Sequence, residues 1–201
     1  MAEKKSTSTK KKQNEELPVI TQLLVEKFGD QVLGHHAQHG DETVVIAREG
    51  MLEVFKFLRD DKRCAFNMMI DLTAVDYMPR DPRFEVVYHL KSLGLAQRIR
   101  IKIPISETAA EVDSIEPLWV AADWYERECG EMYGIDFKGH PNLDFLLLYE
   151  GFQGHPLRKD YEKEISQPRL QLRAIKERHN YGEHFQYIEG ALKASSEKEV
   201  L

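Results

Sequence analysis

The sequence predicts an α+β fold: a mostly antiparallel sheet with helices on one face, followed by an extended C-terminal arm. Three observations carry this. Apolar residues at helical spacing bracket a central block of alternating residues, which puts helices before and after consecutive strands. Within that block Phe84, Val86, Tyr88 and Leu90 alternate, Leu93-Gly94 turns the chain, and Ile99, Ile101 and Ile103 alternate back, as in a hairpin. Beyond Phe137 the periodicity stops, and glycine, proline and charged residues take over. The chain therefore divides into a basic arm (1–16), an α+β domain (17–137) and an extended segment and tail (138–201). With 42% hydrophobic residues in 201, it can bury one core.

The arm has almost no apolar content and cannot offset the entropy of ordering, so it reads as a solvated, disordered tail. It uses lysine and carries Glu3, Glu15 and Glu16, whereas a mitochondrial presequence favours arginine and excludes acids; a bacterial or archaeal origin fits better. After Pro18, Ile20, Leu23, Leu24 and Phe28 recur at helical spacing and Gly29 stops the helix. Val44 to Ile46 reads as a short strand. A helix from about Glu49 places Leu52, Phe55 and Leu58 on one face. Phe66, Met68, Ile70 and Leu72 then alternate toward the core, with Asn67, Asp71 and Thr73 on the opposite face. The second hairpin strand carries Arg98, Arg100 and Lys102 opposite its isoleucines, across from Glu85 and His89. These read as cross-strand pairs on a solvated face or as a surface for an acidic partner. A last helix, from about Glu116 to Tyr133, carries the apolar stripe Leu118, Ala122, Tyr125, Cys129 and Met132.

Composition excludes several functions. The 28 basic and 34 acidic residues give a net charge of -6, too mild and mixed for a nucleic-acid binder. No apolar run approaches the roughly 20 residues of a spanning helix, and no signal-type segment opens the chain, so contact with a membrane is expected only through partners. Cys64 and Cys129 are far apart, without a CxxC pair, which leaves neither a disulfide framework nor ligands for an iron–sulfur cluster. Cys129, on the helix stripe, reads as a buried inert thiol. There is no GxGxxG, Walker lysine loop or GxSxG elbow.

The densest chemistry lies between Glu126 and Tyr161. Glu126 and Glu128 flank the helix stripe while Arg127 points away, one turn before Glu131. Acids at i and i+2 diverge by about 200°, which suits bracing better than a convergent catalytic pair. Desolvating an unpaired carboxylate costs several kcal/mol, so each acid is expected to meet a cation or backbone amides, Arg158 and Lys159 being candidates. Gly139-His140-Pro141 and Gly154-His155-Pro156 read as rigid exposed corners, since glycine permits a sharp turn and proline biases the histidine toward extended backbone. His140 and His155 with Asp136 or Asp160 lack the spacing of a zinc site. His35, His36 and His39 read as a solvated glycine-rich loop. Arg158-Lys159-Asp160 offers a fork, a point charge and an acceptor within three residues, a trio suited to docking.

This stretch, with Glu126-Arg127-Glu128, Met132-Tyr133-Gly134-Ile135, Phe137, His140-Pro141 and Gly154-His155-Pro156-Leu157-Arg158-Lys159-Asp160-Tyr161, resembles the signature of the C subunit of respiratory complex I, the proton-pumping NADH:quinone oxidoreductase. The upstream run Asp71-Leu72-Thr73-Ala74-Val75-Asp76-Tyr77 is similar to that family's pattern too, so the resemblance covers roughly residues 17 to 161. It implies a hydrophilic connecting subunit without independent activity, metal or redox centre. FMN, iron–sulfur clusters and quinone would then belong to partner subunits. The implied partners are other complex I subunits, chiefly the quinone-cavity (D) subunit and the terminal-cluster (B) subunit, on the cytoplasmic side of a bacterial or archaeal membrane. The interface would involve Glu126, Arg127, Glu128, His140, Pro141, His155, Pro156, Arg158, Lys159 and Asp160. Scattered apolar positions of the tail, Leu170, Leu172, Ile175 and Phe185, are expected to order on contact with partners.

Two departures from the family pattern stand out. Gly130 replaces a bulky residue in the helix, and Asn142-Leu143-Asp144-Phe145 replaces Asp-Leu-Arg-Arg after the first His-Pro. The alternatives are the equivalent subunit of a related membrane-bound hydrogenase or deazaflavin dehydrogenase, or a free-standing protein using its histidines and carboxylates to hold metal.

Overall fold

The computed structural model describes residues 17–164 and 166–168; the basic arm and Leu170, Leu172, Ile175 and Phe185 lie outside the described residues. The first element among the described residues is α1 (Val19–Phe28), which begins directly after Pro18 and buries Ile20, Thr21 and Leu24. Thr21 donates to the Glu42 carboxylate from both its N–H and its hydroxyl, fastening the helix to the sheet.

Five strands follow in one sheet: β1 (Val32–Gln38), β2 (Asp41–Ile46), β3 (Met68–Asp76), β4 (Phe84–Ser92) and β5 (Gln97–Ile105), in the order β1-β2-β5-β4-β3. Every pair is antiparallel except β2 with β5, whose parallel pairing requires the crossover made by α2 (Met51–Asp60). The hairpin pairs Val86 with Ile103, Tyr88 with Ile101 and Leu90 with Ile99 in register. All six are buried, under Phe55 and Leu58 of α2 and Ile20 and Leu24 of α1. Truncating such a side chain to alanine costs about 2–5 kcal/mol. The Phe55 ring lies 4.8 Å from Tyr88 and 6.0 Å from Trp119, whose indole N–H donates to the Phe66 carbonyl at 3.1 Å. Helices thus cover one face of the sheet. On the other face Lys102 meets Glu85 at 2.7 Å and Arg98 meets Asp41 at 3.0 Å, so ion pairs are present there. Burial first, then Arg100 across the strand pair, pushes the His89 imidazole down.

Four local expectations are corrected. His35 and His36 lie on β1, an edge strand paired with β2, and His39 sits in the turn after it, so this is no glycine-rich loop. A register shift between Met69 and Asp71 moves β3 out of simple alternation. Phe66 and Leu72 are buried as expected, with Ala74 continuing that phase, but Met68 and Ile70 before the bulge are exposed and Met69 is buried in their place. Phe55 and Leu58 are buried as expected, but Leu52 is exposed, and α2 buries Met51, Val54 and Phe57 as well. The last helix, α3 (Ala122–Tyr133), begins six residues later than the apolar spacing suggests; residues 116–121 form turns.

α3 is flanked by β6 (Glu111–Asp113) and β7 (Asp136–Lys138), which pair in parallel as a second small sheet. At Gly130 a Cβ would approach the Ile135 carbonyl to 3.3 Å, a close backbone contact inside an unbroken helix. Past Lys138 the described residues form turns but no further helix or strand.

Candidate functional site

The segment after β7 returns across α3 and the sheet as a strap, held at three places. The first is the outer face of α3. Arg127 donates from Nε to the Asp144 carbonyl at 3.0 Å and from Nη2 to the Phe145 carbonyl at 3.2 Å. One turn on, the Glu131 carboxylate accepts the N–H groups of Leu146, Leu147 (2.9 Å) and Leu148 (3.1 Å). A cation and an acid at i and i+4 are spaced to pair with each other, yet here they hold the two kinds of backbone group of one passing segment.

The second place is the C-terminal end of α3, where a helix leaves carbonyls without intrahelical partners. His155 Nδ1 donates to the Glu131 carbonyl at 2.8 Å and the Leu157 N–H to the Met132 carbonyl at 3.1 Å. Arg158 donates from Nε to the Tyr133 carbonyl at 2.5 Å and from Nη2 to the Gly134 carbonyl at 3.4 Å. The Arg158 cation is also favoured by the helix dipole there, and its guanidinium lies 5.1 Å from the Phe84 ring centre. Gly134 ends the helix at φ +69°, and a Cβ on it would collide with His155 Nε2 and sit 2.6 Å from Arg158 Nη2. Gly134→Ala is therefore expected to displace both side chains, adding to a left-handed backbone cost of about 1–3 kcal/mol. Limited proteolysis should then cut between residues 150 and 161, a region expected to resist cleavage in the parent chain.

The third place is Arg83, buried immediately before β4. It donates to both oxygens of Asp76, from Nε at 3.1 Å and Nη2 at 2.8 Å. It also reaches both oxygens of Asp160, at 3.1 and 2.5 Å, and Glu107 at 2.6 Å. Asp76 accepts the N–H of Lys159 at 2.9 Å and of Met78 at 2.8 Å. The Arg83 bonds, then those amides, hold the Asp76 carboxyl far below its ordinary range against its burial. Asp160 is lowered by the same guanidinium.

Beneath the strap, Glu126 is completely buried. It accepts the Ser114 hydroxyl at 2.5 Å and the Ile115 N–H at 2.8 Å. Burial pushes its carboxyl up to about 7, with the Ser114 and Ile115 bonds working against that rise. His140 Nδ1 accepts the Asn142 N–H at 3.1 Å, which leaves the ring proton on Nε2. That nitrogen lies 3.2 Å from Asp123 Oδ1 and 3.9 Å from Glu126 Oε2, close but not aligned for a hydrogen bond.

The structure therefore brings most of the sequence-proposed residues together, with changed roles. Arg158 and Lys159 do not pair with Glu126 or Glu128: Arg158 caps α3, and Lys159 offers its backbone N–H to Asp76 while its side chain is exposed. Glu126 is inside and Glu128 outside, rather than both flanking the apolar stripe. The His140 side chain has no exposed surface, so the first corner is exposed at Pro141 but buried at its histidine. His155 and Pro156 are half-buried. Sequence reasoning missed Arg83, Glu107, Ser114 and the part played by Glu131. Asp76 was a usable signal, because it follows Leu72 and Ala74 in core phase, and an acid there needs a buried cation. Among the described residues no three His, Cys, Asp or Glu side chains gather as a metal would need. Cys129 is buried with its thiol pushed up by burial, and Cys64 is pushed up to about 11 by the same cause.

Residues 44–167 match the family described as the respiratory-chain NADH dehydrogenase 30 kDa subunit. The chain is 50% identical over 138 residues to the C subunit of NADH-quinone oxidoreductase from Citrifermentans bemidjiense, covering 69% of this chain and 84% of that one. It is 42% identical over 148 residues to the C subunit from Parvibaculum lavamentivorans, covering 74% of each. Among solved structures, a trypsin-resistant fragment of Nqo5 superposes with a TM-score of 0.54 at 30% identity, over 62% of this chain and 98% of that one. An archaeal membrane-bound sulfane sulfur reductase shares the fold, with a TM-score of 0.61 at 21% identity over 72% of this chain and 85% of that one.

Proposed function

This chain belongs to the family of the 30 kDa subunit of respiratory-chain NADH dehydrogenase, the C subunit of NADH-quinone oxidoreductase, and we propose that it serves that complex as a connecting scaffold. In this reading it docks on the quinone-cavity (D) subunit and the terminal-cluster (B) subunit, and supports electron transfer from NADH to quinone without a redox centre of its own. FMN, the iron–sulfur clusters and quinone belong to the partners. Among the described residues no helix is long and apolar enough to cross a membrane, which supports a peripheral position, proposed to be on the cytoplasmic side of a bacterial or archaeal membrane. The observation that carries the scaffold reading is the strap itself. Its anchors are spent on ordering an irregular segment that displays side chains outward, which is what a preorganised docking surface requires. The names of the relatives favour NADH as donor over the hydrogenase or deazaflavin alternative.

Arg158→Ala and His155→Ala test this reading. Each removes a cap on α3 while leaving the sheet core untouched, so the circular dichroism of the isolated chain should stay nearly unchanged. On native gels of detergent-solubilised membranes the assembled complex should fall by about tenfold, the loss that roughly 1.4 kcal/mol of docking energy represents. Full assembly with lowered turnover would instead mean that the strap acts on chemistry and not on docking.

A further inference from the structure

The following inference rests on the scaffold reading and assigns the surface that docks. Trp124 is 67% exposed and Val120, in the lead-in to the same helix, 78%. Single exposed apolar residues are ordinary, but these belong to a group. Trp124 lies one turn before Arg127 and Glu128 on α3, and Arg127 holds the carbonyls of Asp144 and Phe145, which brings Phe145 beside that turn. Phe145 is 48% exposed, and Leu147, fixed by Glu131 one turn further, is 61% exposed. The N–H groups of residues 146–148 are already bonded to Glu131, so an added strand would find no free donors there. Recognition must come from the displayed side chains.

Exposed acids edge this patch, Glu128 next to Arg127 and Asp144 next to Phe145, while Asp123 turns toward His140. The cation among them, Arg127, is turned onto carbonyls. Two copies meeting through this face would set acid against acid, which a self-complementary interface cannot tolerate cheaply. We propose that Val120, Trp124, Phe145 and Leu147 form a preformed docking face for an apolar surface, rimmed by lysine or arginine, on a neighbouring subunit of the complex. Exposed tryptophan and phenylalanine set rigidly among polar neighbours are the anchors such interfaces use.

The test uses the tagged full chain, expressed in its host and purified in mild detergent at about 0.1 M salt, where surface charge still acts. Trp124→Ser with Phe145→Ser should cut the co-purifying subunits by about tenfold, and Glu128→Lys with Asp144→Lys should do the same. The isolated variants should melt close to the parent, because every altered side chain is exposed. A photo-cross-linker at position 147 should trap a basic, apolar peptide of another subunit. Undiminished co-purification would overturn the proposal, as would cross-links to a second copy or to residues 169–201 of this chain. If the parent chain itself brought down no other subunit, the scaffold reading would fall first.

Discussion

Arg83→Met is expected to lower the stability of the isolated chain by about 3–5 kcal/mol, which for a domain of this size shifts the melting temperature down by roughly 10 °C. The reason is what the substitution leaves behind. Asp76 is buried, and without the guanidinium it keeps only the N–H groups of Lys159 and Met78 against the desolvation of a full charge. Asp160 and Glu107 are about half exposed and can return to water, so their losses are small. The large effect thus comes from one orphaned acid, and Asp76→Asn introduced together with Arg83→Met should recover much of it. Arg83→Lys should lie between, because an ammonium cannot grip two carboxylates as forks. Proteolysis should follow the same order, cutting first near residues 155–161. A melting temperature unchanged by Arg83→Met would show that the cluster contributes no net stability.

The position of this clamp explains why it is hard to read from sequence. Arg83 meets partners 7, 24 and 77 residues away, and local pattern carries no information about the last of these. The hairpin is legible because its strands are neighbours in sequence and each residue's face follows from the next. β3 is misread for a physical reason: one extra residue at the Met69/Asp71 bulge exchanges inside for outside, and an alternation count has no means of seeing it. The edge strand β1 has no fully buried residue to reveal it; its half-buried and exposed residues are ordered through pairing with β2. In the site, the family signature covers residues of the strap, but it does not say that Arg127 and Glu131 bind backbone or that Arg158 caps a helix. Those roles depend on where carbonyls and amides of an irregular segment pass in space. Glu126 is legible in principle, since it follows Ala122 by four residues and precedes Cys129 by three, which puts it within the buried stripe.

That buried acid sets the second large effect. Glu126→Gln is expected to stabilise the chain at pH 8 and to flatten its stability between pH 4.5 and 8. With its folded-state carboxyl pushed up to about 7 by burial, against an ordinary 4.5, the native chain holds a proton through that interval that the unfolded chain has released. Stability therefore falls as pH rises through the window, being fully present below about 4.5 and lost by the time the pH passes 7. At 1.36 kcal/mol per unit the loss is on the order of 3 kcal/mol. A glutamine is neutral at every pH, accepts the Ile115 N–H through its oxygen, and turns its NH2 toward the Ser114 hydroxyl oxygen, which can accept. The neighbouring charges that act on the site, Asp123 and Glu116, are both acids and push in the same direction. The opposite slope belongs to Asp76 and Asp160, whose carboxyls are held low by Arg83; their stabilisation is present above the ordinary carboxylate range and is lost as the pH falls through their lowered values. Denaturant midpoints measured from pH 3 to 8 should show the parent declining on both sides of a maximum near pH 4–5. Glu126→Gln should keep the acid limb and lose the alkaline one. A parent curve flat from pH 5 to 8 would mean that Ser114 and Ile115 hold the Glu126 carboxylate charged despite its burial, and that the base of the strap stands on a buried anion.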